Sequence, residues 1–191
     1  MVRNHIRERI IHAGKTVFRR LGFKKTSMID IAKEVHMGKS SLYYYYPSKE
    51  EIFRAVVVME KETLSLRIHR AVSREKEPKA KLKTLALTRM REFRKLANFY
   101  AVLNEDYLDL LSFVERFREK TFDENVEMIK HILDEGVRSK VFKIKETHLV
   151  AYAIAIVIKG LEYPWLFKSV KGDIEKGLDV MLGVMINGIS K

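Results

Sequence analysis

Four consecutive tyrosines stand in MGKSSLYYYYPSKEE, the segment that covers residues 37–51. A phenol ring packs on a thymine methyl group and its hydroxyl donates to phosphate oxygens, so exposed tyrosines suit a DNA groove; the same rings also suit a hydrophobic core. At about 100° per residue, Leu42 and Tyr46 lie on one side of a helix. Tyr43 and Tyr44 lie on the opposite side. The spacing therefore predicts a core role for Tyr46 and an exposed role for the other two.

The charge of the chain is concentrated near the tyrosines. The formal net charge is +12 over 191 residues. Residues 1–50 hold 11 Lys and Arg against 4 Asp and Glu, a balance of +7, and the remaining residues hold 26 against 21, a balance of +5. We call this basic N-terminal segment, residues 1–50, the head. Its charge favours a polyanionic partner, nucleic acid first and an anionic membrane surface second. A basic surface without a partner is the alternative.

Composition and segment lengths narrow the class of protein. Apolar residues make up 47% of the chain, enough for a packed core, and cysteine is absent, as is typical of cytosolic chains. The charged start MVRNHIRERI does not resemble a secretory signal, and the longest apolar run, VAYAIAIVI, is about half the length of a membrane span. We therefore expect a soluble, cytoplasmic protein with no membrane partner.

Motifs for catalysis are missing from the sequence. It contains no Gly-rich phosphate loop, no Gly-x-Ser-x-Gly and no His-Glu-x-x-His, and its six histidines lack metal-ligand spacing. The sequence therefore predicts a protein that is not an enzyme and that holds no metal or cofactor.

Helical periodicity and only three prolines predict an all-α chain. Gly22 ends a first helix, Ser27 with Asp30 forms a capping-box signal for a short second one, and Pro47 ends a short third one. Two short helices joined by a tight turn in a basic head form a helix-turn-helix. The further helices are predicted at about 49–72, 79–97, 99–111, 112–135, 146–167 and 173–189.

Three segments in order, IIHAGKTVFRRLGF, TSMIDIAKEV and HMGKSSLYYYYPSKE, resemble the TetR family of bacterial transcriptional regulators. The resemblance covers roughly residues 5–58. The family's turn glycine is His36 here, its Val-Ser is Met37-Gly38, and a small glycine of its recognition helix is Ser40. His is among the residues that tolerate a positive φ.

The resemblance implies DNA contacts at matching positions. Two residues at the start of the second helix would contact a phosphate, the third helix would approach base edges and the backbone, and a lysine in the first turn of the fourth helix would meet another phosphate. The implied residues are Thr26, Ser27, Lys39, Ser40, Ser41, Tyr43, Tyr44, Tyr45 and Lys49. Capping alone is the other interpretation of Ser27.

The last two helices predict a homodimer. The final helix is apolar or small on nearly every face, so it needs cover on two sides, and a partner subunit is the expected second cover. Two such helices from each subunit form a four-helix interface. The predicted contact residues are Ile154, Val157, Leu161, Leu178, Met181, Val184 and Met185.

The resemblance implies that the larger domain binds a small molecule. The aromatic-rich middle helices offer candidate pocket residues and favour an apolar effector. Packing in the core is the alternative, and it is the favoured one for most of them. The candidates are Phe93, Leu96, Phe99, Tyr100, Leu103, Tyr107, Phe117 and Trp165.

The predicted organisation is a helix-turn-helix DNA-binding domain at 1–48 and a larger helical ligand-binding and dimerisation domain at 49–191, with helix 49–72 as the link. The predicted function is a DNA-binding transcriptional regulator, a repressor released from a palindromic operator by the effector. A ligand-independent or non-specific DNA-binding protein is the alternative, and a helical small-molecule-binding protein or enzyme with an incidental basic head is the more distant one.

Overall fold

The computed structural model describes the backbone of residues 2–100, 108–166 and 174–190, and the side chains of 4–95, 112, 113, 116, 119, 121–161 and 176–190. These residues form helices and one isolated antiparallel bridge, so the predicted all-α fold class is confirmed. The helices are α1 Val2–Leu21, α2 Met28–Glu34, α3 Lys39–Tyr45, α4 Lys49–Val72, α5 Pro78–Tyr100, α6 Leu108–Arg138, α7 Thr147–Leu166 and α8 Ile174–Ile189.

The helix boundary predicted between residues 111 and 112 is wrong. Helix α6 runs without interruption through Ser112, because neither glycine nor proline breaks the segment there and a serine is tolerated inside a helix that packs an apolar stripe. Helix α5 also continues to Tyr100, beyond the predicted end at residue 97. Residues 101–107, which fall within the predicted helix 99–111, lie outside the described residues.

Contacts divide the chain into two compact units, Met1–Thr63 with Phe99–Glu115, and Leu64–Asn98 with Arg116–Lys191. The predicted division between residues 48 and 49 is a functional one and stays a prediction.

Three phenylalanines hold the first unit together. The fully buried rings of Phe18, Phe23 and Phe53 lie with their centroids 5.2 to 5.5 Å apart, which joins the end of α1 to the start of α4. Helix α1 ends where predicted, because Gly22 adopts φ 78° and its N–H donates to the Phe18 carbonyl at 2.9 Å. Glycine takes that left-handed conformation without the steric cost of a Cβ. The turn out of α1 is thereby fixed just before α2 begins.

The second unit is a helical body with its own core. One face of α8 is buried through Leu178, Leu182 and Ile186, which are spaced four residues apart. Its end is held by the α6–α7 connection, where Phe142 pairs with Ser190 and the Lys143 N–H donates to the Ile189 carbonyl at 2.8 Å. The orientation of α8 is thus set from both its face and its end.

Candidate nucleic-acid interface

Helix α2 begins with the predicted capping box. The Asp30 N–H donates to Ser27 Oγ at 3.3 Å, and Asp30 Oδ2 accepts from the Ser27 N–H at 2.9 Å and from its hydroxyl at 2.6 Å. These hydrogen bonds, that from the Ser27 side chain above all, lower the pKa of Asp30 from its ordinary value. The capping box therefore satisfies the backbone N–H groups of Ser27 and Asp30, and Ser27 remains exposed.

The turn between α2 and α3 needs one residue of positive φ. His36 supplies it at φ 55°, and the N–H of Met37 donates to the Ala32 carbonyl at 2.9 Å. Gly38 then caps α3 in an extended conformation. The left-handed turn that the sequence predicted at His36 is therefore confirmed. Histidine adopts a positive φ more readily than a β-branched residue.

Helix α3 has a buried side and an exposed side, as its spacing predicts. Leu42 is fully buried and Tyr46, at its C-cap, is 7% exposed, whereas Tyr43 and Tyr44 are 43% and 66% exposed. Burial raises the pKa of the Tyr46 phenol, and the nearby Arg7 guanidinium opposes that rise.

A polar and aromatic surface results on the outer side of α3. Lys39, Ser40 and Ser41 are exposed in its first turn. The Lys39 ammonium lies 5.9 Å from the centroid of the Tyr43 ring, one turn further along the helix. The rings of Tyr44 and Tyr45 meet edge to face at 5.2 Å, and Tyr45 is half-buried. We call the exposed set Lys39, Ser40, Ser41, Tyr43 and Tyr44 the α3 surface.

Two predicted phosphate contacts have other partners. Thr26 is 3% exposed, and its hydroxyl donates to the Gly22 carbonyl at 2.7 Å. The Lys49 ammonium donates to the carbonyls of Phe23, Lys24 and Thr26. Both side chains hold the α1–α2 connection through these contacts, which leaves neither as a free phosphate donor.

Sequence reasoning missed two arginines of α1 that brace the head. Arg7 donates to the carbonyl of Tyr45 at 3.1 Å and lies 4.9 Å from the centroid of the Tyr46 ring. Arg9 donates to the carbonyl of Val35 at 3.3 Å. Their carbonyl acceptors lie 38 and 26 residues away along the chain, and no spacing in α1 signals such partners.

Among the predicted pocket residues, only Phe93 has a described side chain, which is 4% exposed. Leu103 and Tyr107 lie outside the described residues altogether. The side chains of Leu96, Phe99, Tyr100, Phe117 and Trp165 lie outside the described side chains. The pocket therefore stays a prediction.

The predicted dimer residues differ in exposure. Ile154 and Leu178 are buried within the chain itself, at 1% and 0% exposure. Val184 is 71% exposed, and the other four, Val157, Leu161, Met181 and Met185, are half-buried. Helices α7 and α8 also expose apolar residues that the sequence did not single out. These are Leu149, Tyr152, Ile156 and Val180.

Two short helices, a left-handed turn and an exposed second helix define the class of this head. It is a helix-turn-helix, the class of module that places its second helix in the major groove of duplex DNA.

Comparison with known proteins agrees with that class. Residues 10–56 match the family described as bacterial regulatory proteins, tetR family. The chain is 42% identical over 48 residues to the uncharacterized HTH-type transcriptional regulator YfiR of Bacillus subtilis, which is 25% of this chain and 23% of that one. It is 42% identical over 52 residues to the biofilm operon icaADBC negative transcriptional regulator IcaR of Staphylococcus epidermidis, 27% of this chain and 28% of that one. The matches thus span about a quarter of the length of these curated relatives.

One solved structure extends the likeness to the whole fold. The transcriptional regulator from Cytophaga hutchinsonii is 27% identical, with a TM-score of 0.81 over 96% of this chain and 98% of that one. The resemblance inferred from the sequence is thus confirmed by the family match over residues 10–56 and by the shared fold.

Proposed function

We propose that this protein is a dimeric transcriptional regulator that binds a palindromic operator and releases it when a small apolar effector binds. The α3 surface carries the proposal, because it presents an ammonium, two hydroxyls and two phenols on the exposed side of a second helix. Lysine suits guanine O6 and N7, hydroxyls suit any base edge, and phenol rings suit thymine methyl groups. Tyr45, next to this surface on α3, contacts the DNA backbone, whereas the N–H and hydroxyl of Ser27 both donate to Asp30, so Ser27 acts as the cap of α2.

Dimerisation follows from the apolar residues that α7 and α8 leave exposed. Val180 and Val184 lie one turn apart on the side of α8 opposite its buried face, at 62% and 71% exposure. Tyr152 and Ile156 form a similar stripe on α7, at 45% and 49%. A contiguous apolar stripe of this kind marks an interaction site, and a second copy of the chain supplies an equally apolar surface. The two heads then contact half-sites one helical turn apart, about 34 Å.

Effector release rests on the family resemblance and on linkage. The dimer has two states, one whose heads match the half-site spacing and one whose heads do not. A ligand that binds the second state more tightly lowers DNA affinity by the ratio of its affinities for the two states. The relative IcaR is named as a negative regulator, which favours repression for this chain as well. A screen of apolar metabolites that finds no compound able both to raise the melting temperature and to lower operator affinity would argue for a ligand-independent regulator.

DNA binding is tested by selection from a random duplex pool with the full chain. The recovered duplex and a scrambled duplex of equal length are then titrated across a salt series. We expect preference for the recovered sequence, two-fold symmetry within it, and a steep fall of affinity with salt from several phosphate contacts. Equal affinity for both duplexes would favour the non-specific alternative, and flat salt dependence would contradict DNA binding.

The described part of the chain contains no helix that is both long and apolar enough to cross a bilayer. Charge also suggested an anionic membrane surface as a second partner, but the hydroxyls and the ammonium of the α3 surface match base edges in a DNA groove. We therefore favour nucleic acid.

A further inference from the structure

Lys49 occupies a position that disfavours a cation. It lies in the first turn of α4, where the N-terminal end of the helix dipole is positive. Its ammonium turns away from the helix and donates to the carbonyls of Phe23 at 2.9 Å, Lys24 at 3.3 Å and Thr26 at 2.9 Å. It also lies 4.6 Å from the centroid of the Phe23 ring. Three carbonyl dipoles and a ring face thus compensate the charge.

These contacts use the whole donor capacity of the side chain. A lysine ammonium has three N–H groups and no acceptor, and here three carbonyls lie within hydrogen-bond distance. A phosphate oxygen would have to displace one of them. Each displaced carbonyl would lose a charge-assisted hydrogen bond, which is stronger than a neutral one.

The three carbonyls belong to the connection between α1 and α2, directly before the N-cap Ser27. Lys49 therefore fixes the start of α2 to the start of α4. Arg9 and Arg7 use the same chemistry at the other ends, because they donate to the carbonyls of Val35 after α2 and of Tyr45 at the end of α3. Cations at helix C-termini also complement the negative end of each dipole.

We propose that Lys49 is a positioning residue of the DNA-binding head, which orients α2 and α3 through the α1–α2 connection and makes no phosphate contact. This inference rests on the proposed DNA-binding function. The basic side chains of the head then fall into two groups. One group positions the recognition helix through backbone carbonyls, and the other contacts phosphates.

The test compares Lys49→Met with Lys25→Met in the full chain. Lys25 is exposed in the same connection, so its replacement removes the same charge from the same corner of the head. The ligands are the duplex recovered from the random pool and its scrambled counterpart, each titrated across a salt series. For Lys49→Met we expect roughly tenfold weaker binding of the recovered duplex, because charge-assisted hydrogen bonds that set the helix orientation are lost. The salt slope is the slope of the logarithm of affinity against the logarithm of salt concentration. We expect the salt slope of Lys49→Met to equal that of wild type. We expect its ratio of specific to non-specific affinity to fall.

Loss of fold alone would lower both affinities together, so the ratio distinguishes misplacement from instability. If Lys49→Met loses about 0.9 in salt slope, as one lost phosphate contact requires, or if it weakens both duplexes alike, the inference is overturned. An unchanged affinity overturns it as well. A wild-type chain without salt-dependent binding would overturn the proposed function and this inference with it.

Lys49→Arg covers the case in which the methionine variant does not fold, as judged by circular dichroism. A guanidinium keeps the charge and meets a phosphate well, but its planar fork does not match three carbonyls that converge on one atom. We expect a wild-type salt slope with a reduced specificity ratio. Wild-type values for both quantities would overturn the inference.

Discussion

At the scale of single residues, Tyr43 and Tyr46 show how one run of identical side chains divides between function and stability. Tyr43 is 43% exposed and lies within reach of Lys39, whereas Tyr46 is 7% exposed beneath the Arg7 guanidinium. The division follows from helical geometry, since Leu42 and Tyr46 are four residues apart on the face that packs on the core, whereas Tyr43 is turned about 100° from Leu42 towards the exposed side.

Replacing these two tyrosines should therefore give opposite results. Tyr43→Ala should lose about 1–3 kcal/mol of specific binding, because it removes a contact to base edges. Its free energy of unfolding should stay near that of wild type. Tyr46→Ala should lose about 3 kcal/mol of stability through the cavity that it leaves. Operator titration and denaturant unfolding of both variants measure the two quantities. Unfolding of the head by Tyr43→Ala with a silent Tyr46→Ala would mean that the faces are inverted.

Asp30 makes the first turn of α2 dependent on pH. Its folded pKa lies below the ordinary value of 3.8 because the Ser27 hydroxyl and N–H donate to the carboxylate. A carboxyl group with a lowered folded pKa stabilises the fold fully above its unfolded pKa and loses that contribution as pH falls through the folded value. The stability difference between wild type and Asp30→Asn should thus be present at neutral pH, begin to fall below about pH 4, near the unfolded pKa of an aspartate, and disappear only below the lower folded pKa. Urea unfolding of both proteins across this range checks it, and a difference independent of pH would contradict the capping role.

At the scale of elements, the end of α6 is fitted to the connection that follows it. The Gly136 carbonyl accepts from the N–H groups of Val141 at 2.8 Å and Phe142 at 3.0 Å. The Phe142 ring then folds back against the glycine, and a Cβ built on Gly136 would lie 2.0 Å from a ring carbon. The same connection pairs with the end of α8, so this contact also supports the helix that carries the proposed dimer surface.

Gly136→Ala should accordingly destabilise the body by about 1–3 kcal/mol or more, because a buried ring must move. The gain in helix propensity, about 0.5–1 kcal/mol, is too small to offset this. Thermal unfolding measures the loss. Phe142→Ala provides the control, alone and combined with Gly136→Ala. Because the ring is then absent, the double variant should lose less stability than the sum of the losses of the two single variants. Additive losses would mean that the two residues do not interact.

At the scale of the whole molecule, α7 and α8 leave apolar side chains exposed, and these form the proposed dimer surface. Val184 is 71% exposed, and burial of a valine side chain contributes roughly 1.5 kcal/mol. A charge placed in the interface has to be desolvated without a counterion, which costs several times as much.

Val184→Glu should therefore convert the proposed dimer to a monomer and weaken operator binding, because one half-site contact loses the gain from linking two heads. Val184→Thr is the matched control. It has nearly the same shape, and its hydroxyl can donate to a backbone carbonyl one turn earlier, so it should remain dimeric. Analytical ultracentrifugation beside the operator titration reads both properties. A dimeric Val184→Glu would place the interface elsewhere, and a monomer with wild-type affinity would make dimerisation dispensable.

Local sequence patterns are enough to predict the helical class, the helix-turn-helix, the capping box of α2, the left-handed turn at His36 and the two sides of α3. Each is encoded within a few residues, through 3.6-residue periodicity, caps and the φ preferences of single residues. The tertiary structure decided which basic side chains remain available. Lys49 resembled a phosphate ligand in sequence, yet its three acceptors lie 23 to 26 residues away, and that of Arg7 lies 38 residues away. Partners at such separations depend on how helices pack, so neither spacing nor composition reveals them, and the same packing buried Ile154 and Leu178 while it left Val184 exposed.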